Sequence, residues 1–251
     1  MRYMTLFDLL IDFHKEAPRQ GPGSPEETRK AIYLLGIENQ TNLAIADIGC
    51  GTGAQTMILA TQLQGQITAV DLSPIFLDEL NQRAHKNGVA HKIQTLACAM
   101  NDLPFQEEKF DLIWSEGAAY NMGFQDAIRY WKQFLKKGGF IAVSEISWLT
   151  HSRPEALTQY WNNAYPEIDT VSNKIRVLEE NEYTPIGHFI LPEYCWTEHY
   201  YQPMISRFDT FLEKYDHAPF VVDFVQSEKE EIIQYNQYKE YFGYGFYLAT
   251  K

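Results

Sequence analysis

The sequence predicts an α/β protein built on a doubly wound, mostly parallel sheet, and three observations predict it. Short apolar runs recur up to Glu145, separated by stretches with helical spacing. A glycine turn, Gly49-Cys50-Gly51-Thr52-Gly53, joins the first of these runs to a helix. A second run, Ile67-Thr68-Ala69-Val70, ends on an acid, Asp71. Strands that alternate with helices form parallel sheets with right-handed crossovers.

In chain order, Met4–His14 places Leu6, Leu9, Leu10 and Phe13 at helical spacing. Arg19-Gln20-Gly21-Pro22-Gly23 is a loop punctuated by proline and glycine. Ser24, Pro25, Glu26 and Glu27 open a helix with a cap, a first-turn proline and first-turn acids, and Gly36 ends it. The strands that follow are Leu43–Asp47, a run closing at Asp71, Lys92–Ala97, Phe110–Ser115 and Phe140–Glu145. Between them lie helices to about Leu63, from Ser73-Pro74 to Asn87-Gly88, and from Phe124 to Leu135. Beyond Ser147 the pattern predicts helices over Arg153–Tyr165 and Ser172–Asn181 and a strand over Pro185–Leu191. Trp196–Tyr241, rich in aromatics and acids, is predicted helical, and Tyr244–Thr250 alternates like a strand.

The composition narrows function. A chain of 251 residues suits one α/β domain with an elaboration. We divide it into an N-terminal cover (1–36), a core (37–150) and a C-terminal part (151–251) with an insertion over about 192–241. A formal net charge of −12 argues against a nucleic-acid partner, since phosphate contacts need a basic surface. The three cysteines have neither metal-ligand nor disulfide-framework spacing, so no metal site is expected. No apolar run approaches a membrane span and no leader pattern opens the chain, which makes the cytoplasm the expected location. A homodimer is left open.

The glycine turn and Asp71 carry the chemistry. Glycines let a ligand approach the backbone, and the helix beyond offers unpaired amide groups. Asp71, at a strand end, is placed to accept hydrogen bonds from ribose hydroxyls. A dinucleotide fingerprint needs G-x-G-x-x-G, whereas here the pattern is G-x-G-x-G with Ala54 at the third place, a residue the strict motif also permits. Asp47 before the turn and the block Lys136-Lys137-Gly138-Gly139-Phe140 tip the balance. With Asn101-Asp102-Leu103-Pro104-Phe105 and Phe110-Asp111-Leu112-Ile113, the ordered set resembles the class I S-adenosylmethionine-dependent methyltransferases of the small-molecule type. The resemblance covers residues 40–150 closely. It implies a Rossmann-like seven-stranded sheet whose last strand is antiparallel and pairs with its predecessor at one edge, an insertion lying between them.

Ligands in open α/β sheets sit beyond the carboxyl ends of the strands. That rule and the resemblance together place the cofactor S-adenosylmethionine against Asp47, Gly49, Gly51, Gly53, Gln55, Asp71, Leu72 and Ser115, with the adenine at Ala99-Met100-Asn101. The family often has an Asp where Ala99 or Met100 stands, which leaves adenine to backbone groups and Asn101. Arg19, Gln20 and Gly21 are placed over the cofactor's amino-acid end, or else form a connector with a solvated Arg. Gln55 is otherwise a surface residue of its helix. Methyl transfer is an in-line displacement that positioning and exclusion of water can accelerate, and it needs a base only when the nucleophile carries a proton.

Glu116, Tyr120 and His199 are candidates for that catalytic work, and Asn121, Trp148, His188, Trp196 and Tyr200 for the acceptor pocket. Each has a plainer reading: a structural acid for Glu116, a buried hydrogen-bonded histidine for His188, and packed aromatics for the rest. The acceptor is expected to be a small molecule. A non-catalytic cofactor-binding protein and an NAD-dependent oxidoreductase remain as alternatives, the glycine spacing weighing against the second.

Overall fold

The computed structural model describes residues 5–251. Helices α1 (Leu6–His14) and α2 (Pro25–Leu35) precede strand β1 (Leu43–Ile48). Then come α3 (Ala54–Gln62), β2 (Gly65–Asp71), α4 (Pro74–Lys86), β3 (Ile93–Ala97), β4 (Phe110–Glu116), α5 (Phe124–Trp131) and β5 (Leu135–Trp148). The remainder is α6 (Glu155–Ala164), β6 (Asp169–Thr170), α7 (Val171–Glu180), β7 (Thr184–Ile190), α8 (Tyr194–Trp196), α9 (Gln202–Ile205), α10 (Phe208–Lys214), α11 (Pro219–Tyr238) and β8 (Phe242–Thr250). The first residue of the predicted N-terminal helix, Met4, lies outside the described residues.

The sheet order is β3-β2-β1-β4-β5-β8-β7. β1 to β5 run parallel, and β8 lies antiparallel between β5 and β7. The order reverses direction between β1 and β4, so the crevice for a ligand opens where these two strands end. Their register, Ile45 opposite Leu112 and Asp47 opposite Trp114, sets the loops after Ile48 and Glu116 side by side.

Period-two alternation divides the core between the sheet's faces. Ile45, Leu112, Trp114 and Ala142 pack toward the side of α2, α3 and α4. Ala46, Ile48, Ile113 and Val143 pack toward α5. Both faces are covered, as parallel sheets require.

The seven strands of the main order are those expected, and a short β6 pairs with the end of β5 outside that order. The sequence expectation needs two corrections. The helix predicted to reach Leu135 ends at Trp131 in a 3₁₀ turn, Lys132–Phe134, because Leu135 already pairs with Phe110. The predicted helix over Trp196–Tyr241 is broken: Thr197–Tyr201 is a π-turn between α8 and α9, and α10 and α11 are separated at Asp216 and His217, both left-handed. Pro219 opens α11, where its missing N–H costs nothing.

Leu112 is fully buried in the central β4. Leu112→Ala should cost about 2–5 kcal/mol of folding free energy, read from urea denaturation midpoints.

Candidate active site

The glycine turn after β1 is built by backbone conformation. Gly49 and Gly51 adopt φ of 73° and 55°, in the left-handed region that β-carbons disfavour. A β-carbon on Gly49 would collide with Ala118, and one on Gly51 with the Gln20 side chain. Gln20 locks the turn from above. Its Nε2 donates to Thr52 Oγ1 at 2.9 Å and to the His14 carbonyl at 3.2 Å, and its Oε1 accepts the Thr52 amide at 2.9 Å. Arg83 on α4 secures the same segment by donating to the Ala17 carbonyl at 2.9 Å. No side chain caps the N-terminus of α3, and Ala54 and Gln55 there line the cavity.

Asp71 closes β2 beside this turn. Its Oδ2 accepts the Gly51 amide and its Oδ1 the Ser73 amide, each at 2.9 Å. Burial raises its pKa, against the pull of those amides. A carboxylate offers about four lone-pair sites, so these amides leave acceptor capacity for an outside donor. Asp47 is fully buried beneath the turn and accepts from Thr56 Oγ1 at 2.6 Å and Gln55 Nε2 at 3.2 Å. Burial pushes its carboxyl up to about 7, and the nearby charges of Glu116 and Asp71 push the same way.

These pieces surround a cavity of about 590 Å³. Of the residues singled out from sequence, it brings together Arg19, Gln20, Gly21, Gly49, Gly51, Gln55, Asp71, Leu72, Ala99, Met100, Asn101, Glu116, Tyr120, Asn121 and Tyr200. A chamber of about 200 Å³ shares Gln20, Tyr120 and Tyr200 with it and adds Trp161, Tyr165, Trp196 and Tyr244. Others stand elsewhere. Asp47 and Gly53 lie behind the turn, and Ser115 is buried with its hydroxyl unpartnered. Trp148 is buried in β5 under the Arg153 guanidinium, 4.0 Å from its ring centre. His188 stacks on Tyr247, and His199 sits edge-on to Tyr194, both outside the cavity.

Arg19 and Glu116 form a buried ion pair. Glu116 also accepts from Thr28 Oγ1 at 2.7 Å and Trp114 Nε1 at 3.0 Å. A carboxylate that gathers three donors is a tether, so the pair fixes the N-terminal loop to the end of β4. Sequence reasoning passed over His14, Glu228 and Glu231, all of which line the cavity. The glutamates stand in Ser-Glu-Lys-Glu-Glu, which reads as a solvated helix face. Only the turn of α11 toward the crevice distinguishes them. Tyr235 and Lys239, spaced like a hydride-transfer Tyr-x-x-x-Lys pair, serve structure instead. Tyr235 stacks on Trp196 with ring centres 4.3 Å apart, and Lys239 pairs with Glu193.

Known proteins carry the same architecture. Residues 45–139 match the family described as "Methyltransferase domain". That segment, well under half of the chain, is similar to the methyltransferase domain family. It includes the glycine turn, Asp71 and Glu116. Tocopherol O-methyltransferase of Arabidopsis thaliana is 27% identical over 193 residues, which is 74% of this chain and 49% of that protein. The chain thus spans about half the length of this curated relative. Among solved structures, a methyltransferase from Geobacter sulfurreducens in complex with S-adenosylhomocysteine superposes with a TM-score of 0.84 at 16% identity, covering 98% of this chain and 99% of that one. The [4+2]-cyclase SpnF superposes with a TM-score of 0.75 at 17% identity, covering 98% and 93%. The fold of the methyltransferase domain is therefore shared, and its chemistry must be argued from the site.

An Asp whose folded pKa lies above its unfolded value makes the fold hold extra protons between the two. Stability then falls as pH rises from about 4 to about 7. Asp47→Asn keeps a hydrogen-bonding group there and removes the titration. Thermal melts should show a flatter decline over that window in the variant than in the parent.

Proposed function

We propose that the protein transfers a methyl group from S-adenosylmethionine to a small-molecule acceptor. Asp71 carries this reading: a half-buried carboxylate at the end of β2, fixed by the Gly51 and Ser73 amides and facing the cavity beside a glycine cradle. A ribose diol fits that pair of acceptors, and the uncapped start of α3 fits the cofactor's amino-acid end. Ala99, Met100 and Asn101 would flank the adenine. S-Adenosylmethionine supplies an electrophilic methyl on a sulfonium, and the remaining tasks fall to the chain.

Those tasks are positioning and exclusion of water. Gln20 and the Arg19–Glu116 pair hold the N-terminal loop across the glycine turn, which narrows access from solvent. Tyr120, Tyr200, Tyr244 and Trp196 form the wall of the smaller chamber, which we assign to the acceptor. That chamber is open rather than filled by side chains, which favours catalysis over a purely cofactor-binding role. We place the protein in the cytoplasm; among the described residues, no helix is long and apolar enough to cross a membrane.

Calorimetric titration with S-adenosylhomocysteine, S-adenosylmethionine and NAD tests the assignment. The first two should bind and NAD should stay silent. Asp71→Ala should weaken the first two by about 1–3 kcal/mol, as for other lost charge-assisted hydrogen bonds. NAD binding alone, or unchanged affinity in Asp71→Ala, would overturn the reading.

A further inference from the structure

The cavity holds acids that no base answers. Glu228 and Glu231, one turn apart on α11, both line it, and Glu231 also lines the aromatic chamber. Among the described residues neither pairs with a lysine or arginine; the Tyr201 hydroxyl donates to Glu231 Oε1 at 3.1 Å. Among the described residues Arg19 is the one lysine or arginine in either lining, and Glu116 already neutralises it. An anionic acceptor would meet this wall at a large electrostatic cost.

A second observation points the same way. His14 is 4% exposed, lines the cavity, and its Nδ1 has no hydrogen-bond partner. Burial, with Arg207 nearby, lowers its pKa to about 4, so at neutral pH the ring is uncharged and offers a lone pair. Its ring stacks on Tyr200, centres 6.3 Å apart. The chamber beside it presents Tyr120, Tyr244, Trp161 and Trp196, the kind of π-faces that attract cations.

We propose that the acceptor is an amine, which enters as an ammonium ion held by Glu228 and Glu231 against these aromatic faces, with His14 accepting one of its N–H groups. This rests on the methyl-transfer reading. Burial beside Glu231 raises the Glu228 acid to about 8 in the empty site, so the arriving ammonium is what holds it ionised, and the carboxylate takes one proton from the ammonium as the nitrogen attacks. The freed nitrogen lone pair then forms the N–C bond while the S–C bond breaks with its electron pair going to sulfur. A neutral thioether and a methylated ammonium result.

The test uses three ligands of one shape on the full chain: 2-phenylethylamine, 2-phenylethanol and 3-phenylpropanoate. Each is titrated by intrinsic fluorescence, with and without saturating S-adenosylhomocysteine. The amine should bind at least about tenfold tighter than either partner, the scale of a charge-assisted hydrogen bond. Glu228→Gln with Glu231→Gln, both isosteric, should abolish that preference while leaving S-adenosylhomocysteine affinity unchanged. Glu230→Gln, on the exposed face of the same helix, should preserve it. The amine binding no tighter than the alcohol, a preference that survives the double variant, or a double variant that loses S-adenosylhomocysteine instead would each overturn the proposal. Failure of S-adenosylhomocysteine to bind, with the amine preference intact, would sink the methyl-transfer reading alone.

Discussion

Space denied to side chains at the turn after β1 is the constraint on which the site depends. Gly49 and Gly51 leave room for Ala118 and for the Gln20 amide, and both adopt backbone conformations that other residues resist. Gln20 then binds Thr52 through both its donor and its acceptor, so the N-terminal segment is fastened to the turn at the sheet's edge by two hydrogen bonds. Asp71 is drawn into the same arrangement through the Gly51 amide. Disturbing one member would move the cradle, the ribose acid and the covering loop together.

Charge is distributed with equal economy around this turn. Asp47 is buried with two hydrogen bonds and no cation, which its position under the glycine turn requires and which raises its pKa. Glu116 receives the cavity's arginine. Glu228 and Glu231 receive none, though a partly buried carboxylate is costly without a partner. Such a cost persists where a ligand relieves it, and a cavity walled by tyrosine and tryptophan faces is suited to a cationic one.

The parallel core was legible because local signals there agree with one another. Apolar runs flanked by caps and glycines fix β1 to β4 and their helices to within a few residues, as at Ser24-Pro25 and Ser73-Pro74. Asp71 was legible for the same reason, as the acid that ends the second run. The residues after Ser147 were less so. Trp196–Tyr241 carries a helical composition, yet a π-turn at Thr197–Tyr201 and left-handed residues at Asp216 and His217 divide it, and packing rather than propensity sets those breaks. β5 overran its predicted end because β8 pairs with it as far as Trp148, a partner ninety-four residues downstream of that point.

By itself, then, the sequence determined the order of the elements, the glycine cradle and the ribose acid, since each depends on neighbours within a few residues. Tertiary structure decided what surrounds them. It paired Glu116 with Arg19 rather than leaving it free, and moved His188, His199 and Trp148 away from the cavity. It also brought His14, Glu228 and Glu231 to the cavity wall from opposite ends of the chain. A pattern of charges on one helix shows which residues share a face, but only the packing of that helix against the rest decides whether the face meets water or a ligand.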